Sequence, residues 1–243
     1  MDDRSIRAVI LCGGKGTRAY PHTIDVPKPL LEVAGKPVLL HLLEIYARQG
    51  HTQFLLAAGY RADLIAQFAD RLPAVWTVEV VDTGLETGTG ERVRLLADRA
   101  GETFFVNYAD GLGDVDLASL LEFHRSHGRA ATLTTVPLPS PYGTIDLGPG
   151  GRVERFVEKP KIPEHRINAG FFVFNAGVLE QTPGADLERE VLPALSAAGE
   201  LHAYDHFGFW RSLDTYKDSL ELTALCDEGH PPWAQSSLET EKA

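Results

Sequence analysis

Three features of this sequence predict a layered α/β fold. Short apolar, β-branched runs alternate with helical patterns throughout the first half. Such alternation calls for crossover connections between parallel strands that are buried on both faces. The second half carries closely spaced strand patterns joined by turn signals, which add antiparallel strands. The composition, 44% apolar and 23% charged over 243 residues, is that of a globular chain long enough for a substantial core. Together they describe a Rossmann-like, mostly parallel mixed sheet flanked by helices, with antiparallel additions in the second half.

Residues 8–12 (AVILC) read as a buried strand, and a loop rich in glycine and proline follows as far as Pro29. Pro37 opens a helix (PVLLHLLEIYARQG) with apolar residues at helical spacing, and Gly50 stands where a terminating glycine is expected. Strands at 54–58, 75–81 and 104–108 then alternate with helices at 63–71, 91–99 and 117–127. Strands follow at 131–136, 142–147 and 152–157, the last two joined by the turn signal PGG at 149–151. A strand at 169–174, a helix at 187–197, a short strand at 201–204 and a closing helix at 214–225 complete the pattern. Residues 1–228 are read as one domain. The segment 229–243, rich in Pro, Ser and Glu, is expected to be a partly disordered tail.

Charge and composition remove several function classes. Lys plus Arg total 23 against 34 Asp plus Glu, a net charge of −11. Nucleic acids and anionic membranes select basic surfaces, so neither is an expected partner. A phosphate-bearing substrate would need cations gathered locally, with help from a metal ion. Cys12 and Cys226 are too few and too far apart for a zinc site or a disulfide framework. The apolar run near the N-terminus is too short for a signal peptide, and no stretch approaches the roughly 18 apolar residues of a membrane span, so a cytoplasmic protein is expected. The histidines, His22, His165 and His206 among them, show no metal-ligand spacing, and His124 with His127 belongs to one helix face.

The first loop carries the chemistry. Residues 14–19 (GKGTRA) match the dinucleotide fingerprint G-x-G-x-x-A, which would suit a nicotinamide-dependent oxidoreductase. That fingerprint requires a helix at once, and Pro21, Pro27 and Pro29 forbid one. A P-loop is excluded because Gly-Lys-Ser/Thr occurs nowhere. What survives is a glycine-rich loop whose backbone N–H groups can face an anion, with Lys15, Arg18 and Lys28 nearby. It is either a cradle for a diphosphate or triphosphate or a solvated surface loop. Asp110 follows the strand at 104–108, at the sheet edge where such folds bind ligands; it is an acidic ligand or a turn cap. Asp214 is likewise an acidic ligand or the cap of the last helix.

Separated motifs run through the chain: GGKGTR (13–18), PKP (27–29), GKP (35–37), VDTG (81–84), TGER (89–92), YADG (108–111), VEKP (157–160), INAGFFVFN (167–175) and FWRSLDT (209–215). In this order they resemble the sugar-1-phosphate nucleotidyltransferases, the nucleotide-sugar pyrophosphorylases, over nearly the whole chain. The VDTG and TG pair, the Y-x-D-G motif, GFW-x-x-x-DT and PPW (231–233) are most similar to the branch that uses CTP and glucose 1-phosphate. The resemblance implies the nucleotide-diphospho-sugar transferase fold. It also implies attack of a sugar 1-phosphate oxygen on the α-phosphorus of a nucleoside triphosphate, with pyrophosphate leaving. No protein nucleophile takes part, so catalysis rests on positioning and charge neutralisation.

By the same resemblance, Arg18, Lys28, Asp110, Lys159 and Asp214 are the catalytic set, with Asp110 and Asp214 holding Mg²⁺. Nucleotide binding falls to Leu11, Gly13, Gly14, Gly16, Thr17, Arg18, Gly59, Thr89, Gly90 and Tyr108. The sugar phosphate falls to Glu158, Lys159, Asn168 and Gly170. Arg92 also matches the pattern, at a helix start that would expose it. The chain departs from the branch in a short connection at 68–75 and in Glu91, which puts a negative charge where the family has glycine. A homo-oligomer is expected from the family. One alternative is the same chemistry with UTP, dTTP or GTP, or with another phosphate or phosphonate acceptor. The alternative of another class is a non-catalytic regulatory subunit binding a nucleotide sugar, against which stands the presence of every expected cation and carboxylate.

Overall fold

The computed structural model describes residues 6–182, 184–229 and 231–234. At its centre lies β1 (Ala8–Leu11), four consecutive buried residues. Alternate side chains leave a strand on opposite faces. Ala8 and Ile10 therefore join one apolar cluster while Val9 and Leu11 join the other. After a small hairpin of β2 (Glu32–Val33) and β3 (Lys36–Pro37), α1 (Val38–Arg48) starts directly behind Pro37. Gly50 follows it with φ +90°, the left-handed conformation that lets the chain turn back. Then come β4 (Gln53–Ala58), α2 (Ala62–Ala69), β5 (Thr77–Asp82), α3 (Thr89–Ala100) and β6 (Thr103–Tyr108).

From there the pattern is mixed. The short β7 (Gly111–Gly113) precedes α4 (Leu117–His127), whose Asp116 cap accepts from the amides of Ala118 and Ser119. The strand β8 (Ala131–Pro139) and the ribbon of β9 (Thr144–Leu147) and β10 (Val153–Val157) lead into β11 (Lys161–Asn175). Next are α5 (Ala176–Gln181), a π-helical turn Leu187–Val191, α6 (Leu192–Ala197), β12 (Leu201–Asp205), β13 (Trp210–Ser212) and α7 (Tyr216–Asp227).

Seven strands form the main sheet in the order β12-β8-β11-β6-β1-β4-β5. All neighbours are parallel except β11, which is antiparallel to both β6 and β8. One face is covered by α1, α2, α4 and α7, and the other by α3, α5 and α6. The chain goes from β1 outward through β4 and β5, then returns to pair β6 on the other side of β1. The strand order reverses there, so a crevice opens beyond the carboxyl ends of β1 and β6.

The predicted α/β class and its mixed sheet hold, with local differences. The strand expected at 169–174 starts at Lys161, because irregular register between Ile162 and Arg166 and between Asn168 and Phe172 lets pairing with β8 continue. The helix expected at 187–197 opens with a π-helical turn. Trp233, assigned to the tail, is buried between His41 and Phe209, with Arg48 Nη2 donating to its carbonyl at 2.8 Å. Residues 235–243, where disorder was expected, lie outside the described residues. On the β9–β10 ribbon, Ile145 pairs Phe156 and Leu147 pairs Val153 on one face, and all four are more than half exposed. No helix among the described residues is long and apolar enough to cross a membrane.

Candidate active site

The glycine-rich loop leaves β1 into the crevice and is pinned from behind. Tyr60 N donates to Gly13 O at 3.0 Å, Thr23 Oγ1 to Gly16 O at 3.0 Å, and Tyr60 Oη to Thr23 O at 3.1 Å. Arg92 is 3% exposed. Its guanidinium donates to Ala58 O at 2.8 Å, Gly13 O at 3.3 Å, Leu85 O at 3.4 Å and the hydroxyl of Thr83. It is thus a buried tether under the loop, not the exposed helix-start residue its position suggested. A side chain on Gly13 would run into that guanidinium, whereas one on Gly14 would meet nothing within 4 Å. Gly14 therefore presents bare backbone to the crevice.

The crevice is a cleft of about 660 Å³. Leu11, Gly13, Gly14, Gly16 and Thr17 line it from the loop. Thr89, Tyr108 and Asn168 line the opposite side, and Lys28, Asp110 and Asp214 its closed end. These residues come from β1, α3, β6, β11 and the segments flanking them, which only the fold brings together.

The closed end has a definite construction. Asp110 follows β6 and precedes Gly111, and Gly111 pairs with Ser212 in the antiparallel β7–β13 ribbon. Asp214 stands two residues beyond Ser212, and Leu213 N donates to Asp110 O at 2.8 Å. A two-stranded ribbon therefore sets both carboxylates side by side although they are far apart in sequence. Lys28 opens a 3-10 turn behind Pro27 and is buried. Its Nζ lies 2.5 Å from Asp110 Oδ2 and 2.8 Å from Asp214 Oδ1. Ser212 Oγ donates to Asp214 Oδ2 at 3.0 Å, and the Thr215–Asp218 capping box starts α7 immediately after. Both carboxylates thus converge on one cation position with hard oxygen donors, which suits Mg²⁺. Among the described residues no group of three or more His, Cys, Asp or Glu gathers for a metal. A divalent ion here would complete its shell with phosphate oxygens and water.

Other expected residues lie elsewhere. Gly59 packs under the loop, where a Cβ would stand 2.7 Å from both Arg92 Nη1 and Gly84 O. The amides of Gly90 and Glu91 donate to Ala185 O at 2.9 and 3.1 Å, so these two N–H groups are satisfied by protein, and neither residue lines the cleft. Glu91 itself is exposed and off the cleft. Gly170 has φ +79° and seats the Tyr108 ring, which a side chain there would strike. Glu158 and Lys159 are exposed at the junction of β10 and β11 and do not line the cleft; Lys159 takes φ +45° there. The side chain of Arg18 lies outside the described residues. Lys15 lines the cleft and forms an exposed ion pair with Glu86 at 2.9 Å.

Sequence reasoning missed Glu188 and Trp210. Tyr108 Oη donates to Glu188 Oε1 at 2.5 Å and Thr89 Oγ1 to Glu188 Oε2 at 2.9 Å. One carboxylate thus ties β6, α3 and the π-helical turn together across the cleft. Burial, then the Glu188 charge, pushes the Tyr108 hydroxyl well above the usual tyrosine range. Trp210 Nε1 donates to Ala169 O at 2.7 Å and forms a fixed wall. The aromatic in FWRSLDT was the available signal for it; Glu188, in LEREV, reads as part of a solvated helix face. Cys12 is fully buried and its thiol is raised by that burial, so it is no nucleophile.

A family model described as nucleotidyl transferase matches residues 7–226. The chain is 36% identical over 254 aligned positions to a glucose-1-phosphate cytidylyltransferase of Salmonella typhimurium, covering 94% of this chain and 98% of that protein. It is 38% identical over 231 positions to the catalytic subunit beta of a mannose-1-phosphate guanylyltransferase from Drosophila pseudoobscura pseudoobscura, covering 90% of this chain and 62% of that protein. The crystal structure of HddC from Yersinia pseudotuberculosis superposes with a TM-score of 0.72 at 24% identity, over 90% of this chain and 98% of that one, a likeness of fold.

Proposed function

Because the chain belongs to the nucleotidyl transferase family, we propose that it joins a nucleoside triphosphate to a sugar 1-phosphate and releases pyrophosphate. The observation that carries this reading is the closed end of the cleft. A buried ammonium and two converging carboxylates sit at the strand-order reversal, beside a loop that offers bare backbone at Gly14. A reaction between two anions needs its charges neutralised and its partners aligned, and this set of groups suits that task.

In this reading the loop from Gly13 to Thr17 receives the triphosphate, and Lys28 with Arg18 neutralises the departing pyrophosphate. Asn168, Gly170 and Trp210 shape the sugar side. Glu158 and Lys159 are assigned to the sugar phosphate on the strength of their motif. Asp110 and Asp214 would hold Mg²⁺, which when bound supplies charge neutralisation at the phosphates. CTP and glucose 1-phosphate are the preferred pair, supported by the shared motifs and by the near end-to-end match to the Salmonella relative. The guanylyltransferase relative favours a second reading, GTP with mannose 1-phosphate.

Pyrophosphate release with Mg²⁺ tests both, offering CTP, UTP, dTTP, GTP and ATP with each sugar phosphate. Release with CTP and glucose 1-phosphate alone supports the preferred pair, and release with GTP and mannose 1-phosphate supports the second. No release in any combination would count against the enzyme reading and favour a binding subunit. The reading includes self-association through the ribbon. Residues 142–157 balance Asp146 and Glu154 with Arg152 and Arg155, so in a chain of net charge −11 this apolar face carries no net repulsion toward a second copy. Light scattering on Phe156→Ser should show a smaller particle than the parent chain; equal masses would sink this part.

A further inference from the structure

The Lys28 ammonium occupies the point on which both carboxylates converge, at 2.5 Å from Asp110 and 2.8 Å from Asp214. Without a cation there, two like charges would face each other in a recessed corner. The Lys28 side chain is 10% exposed. Its stem is seated against Gly16, where a Cβ would come within 2.8 Å of Lys28 Cβ. We propose that Lys28 is an internal stand-in cation: it neutralises Asp110 and Asp214 in the metal-free protein and must leave them for a divalent ion to enter.

One ammonium against two carboxylates offsets one of the two negative charges and separates them. A divalent ion added beside it would place like charges a few ångströms apart in low-dielectric surroundings. Lysine and metal are therefore antagonists at this point. Lys28 also lines the cleft, so polyphosphate oxygens entering beside the glycine-rich loop offer its ammonium a second anionic partner. Drawing Lys28 toward phosphate vacates the carboxylates. Polyphosphate and metal then favour each other through the protein, a coupling that is reciprocal by linkage. This deepens the proposed function and rests on it for the identity of the metal and the polyphosphate.

Mn²⁺ binding followed by electron paramagnetic resonance, without nucleotide, supplies the first readout. Lys28→Gln should bind Mn²⁺ about tenfold more tightly than the parent chain or better. It should also melt at lower temperature in EDTA and recover with Mg²⁺, and adding Asp110→Asn should abolish both effects. Equal Mn²⁺ affinity in parent and Lys28→Gln overturns the proposal. A through-space effect of the lysine charge would also tighten Mn²⁺ but would leave the ammonium where it is. The second readout is therefore the nitrogen NMR signal of the Lys28 ammonium in the parent chain, which does not depend on how the variant folds. Held by two carboxylates it is protected from exchange, and Mg²⁺ with inorganic tripolyphosphate should abolish that protection. A signal unchanged at saturating Mg²⁺ and tripolyphosphate overturns the proposal. Pyrophosphate release by the parent chain reports separately on the enzyme reading, so the two fail independently.

Discussion

Gly13 and Gly14 are neighbours with opposite reasons to be glycine. Gly13 faces a guanidinium that four partners hold in place, so the Arg92 side chain cannot swing aside cheaply. We expect Gly13→Ala to cost about 1–3 kcal/mol in urea unfolding, as overpacking against a fixed group does. Gly14 meets nothing. Gly14→Ala should change stability by less than about 0.5 kcal/mol while weakening triphosphate affinity in calorimetry, because a methyl group would stand where phosphate approaches. Normal affinity in Gly14→Ala would remove the loop from the binding site. A similar contrast holds at Tyr108, whose hydroxyl is kept protonated by burial first and by the Glu188 carboxylate second. In an ultraviolet pH titration, Tyr108 should stay protonated where ordinary tyrosines ionise, near pH 10. Glu188→Gln should lower its pKa without restoring the ordinary value, since burial remains.

At the level of elements, the parallel half was legible because each strand and helix there is a continuous local signal. Runs such as AVILC and the spacing in VLLHLLEIYAR name their own structure, and β1, β4, β6, α1 and α4 lie within a residue or two of expectation. The strands β7 and β13 were not legible. Gly-Leu-Gly and Trp-Arg-Ser carry no period, and they are strands only because each pairs with the other. That pair sets Asp110 beside Asp214, so the closed end was foreseeable from motifs while its construction was not. The capping of α3 by Ala185 was hidden for the same reason: the acceptor lies some 95 residues further along the chain. Gly88 sits at this contact, and a Cβ there would overlap the Ala185 carbonyl. Gly88→Ala should therefore displace the π-helical turn and with it Glu188. Faster amide exchange across Leu187–Val191 would register this, and unchanged protection would refute it.

Across the whole molecule, three histidines bear on acid stability with the same sign. Burial lowers His41 and His124, and lowers His127 to about 4, with the stacked His202 ring adding to the effect on His127. The folded state thus binds these protons less readily than the unfolded chain, whose histidines titrate near 6.5. Their contribution is intact above about pH 6.5 and is lost as the pH falls from there toward 4. The urea midpoint should be lower at pH 5 than at pH 7.5, by less in a His127→Gln variant. His41 takes part because its Nδ1 accepts from Trp233 Nε1 at 3.4 Å while its Nε2 donates to Val33 O at 3.0 Å, a pairing only the neutral ring can make. The docking of Trp233 has a further consequence. A chain cut after Gly229 would lack the ring that fills the space between His41 and Phe209, leaving a vacancy of defined shape beside the β7–β13 ribbon. Such a truncated protein becomes a receptor for a small aromatic molecule. Free indole, added at millimolar concentration, should raise its melting temperature while leaving that of the full chain unchanged.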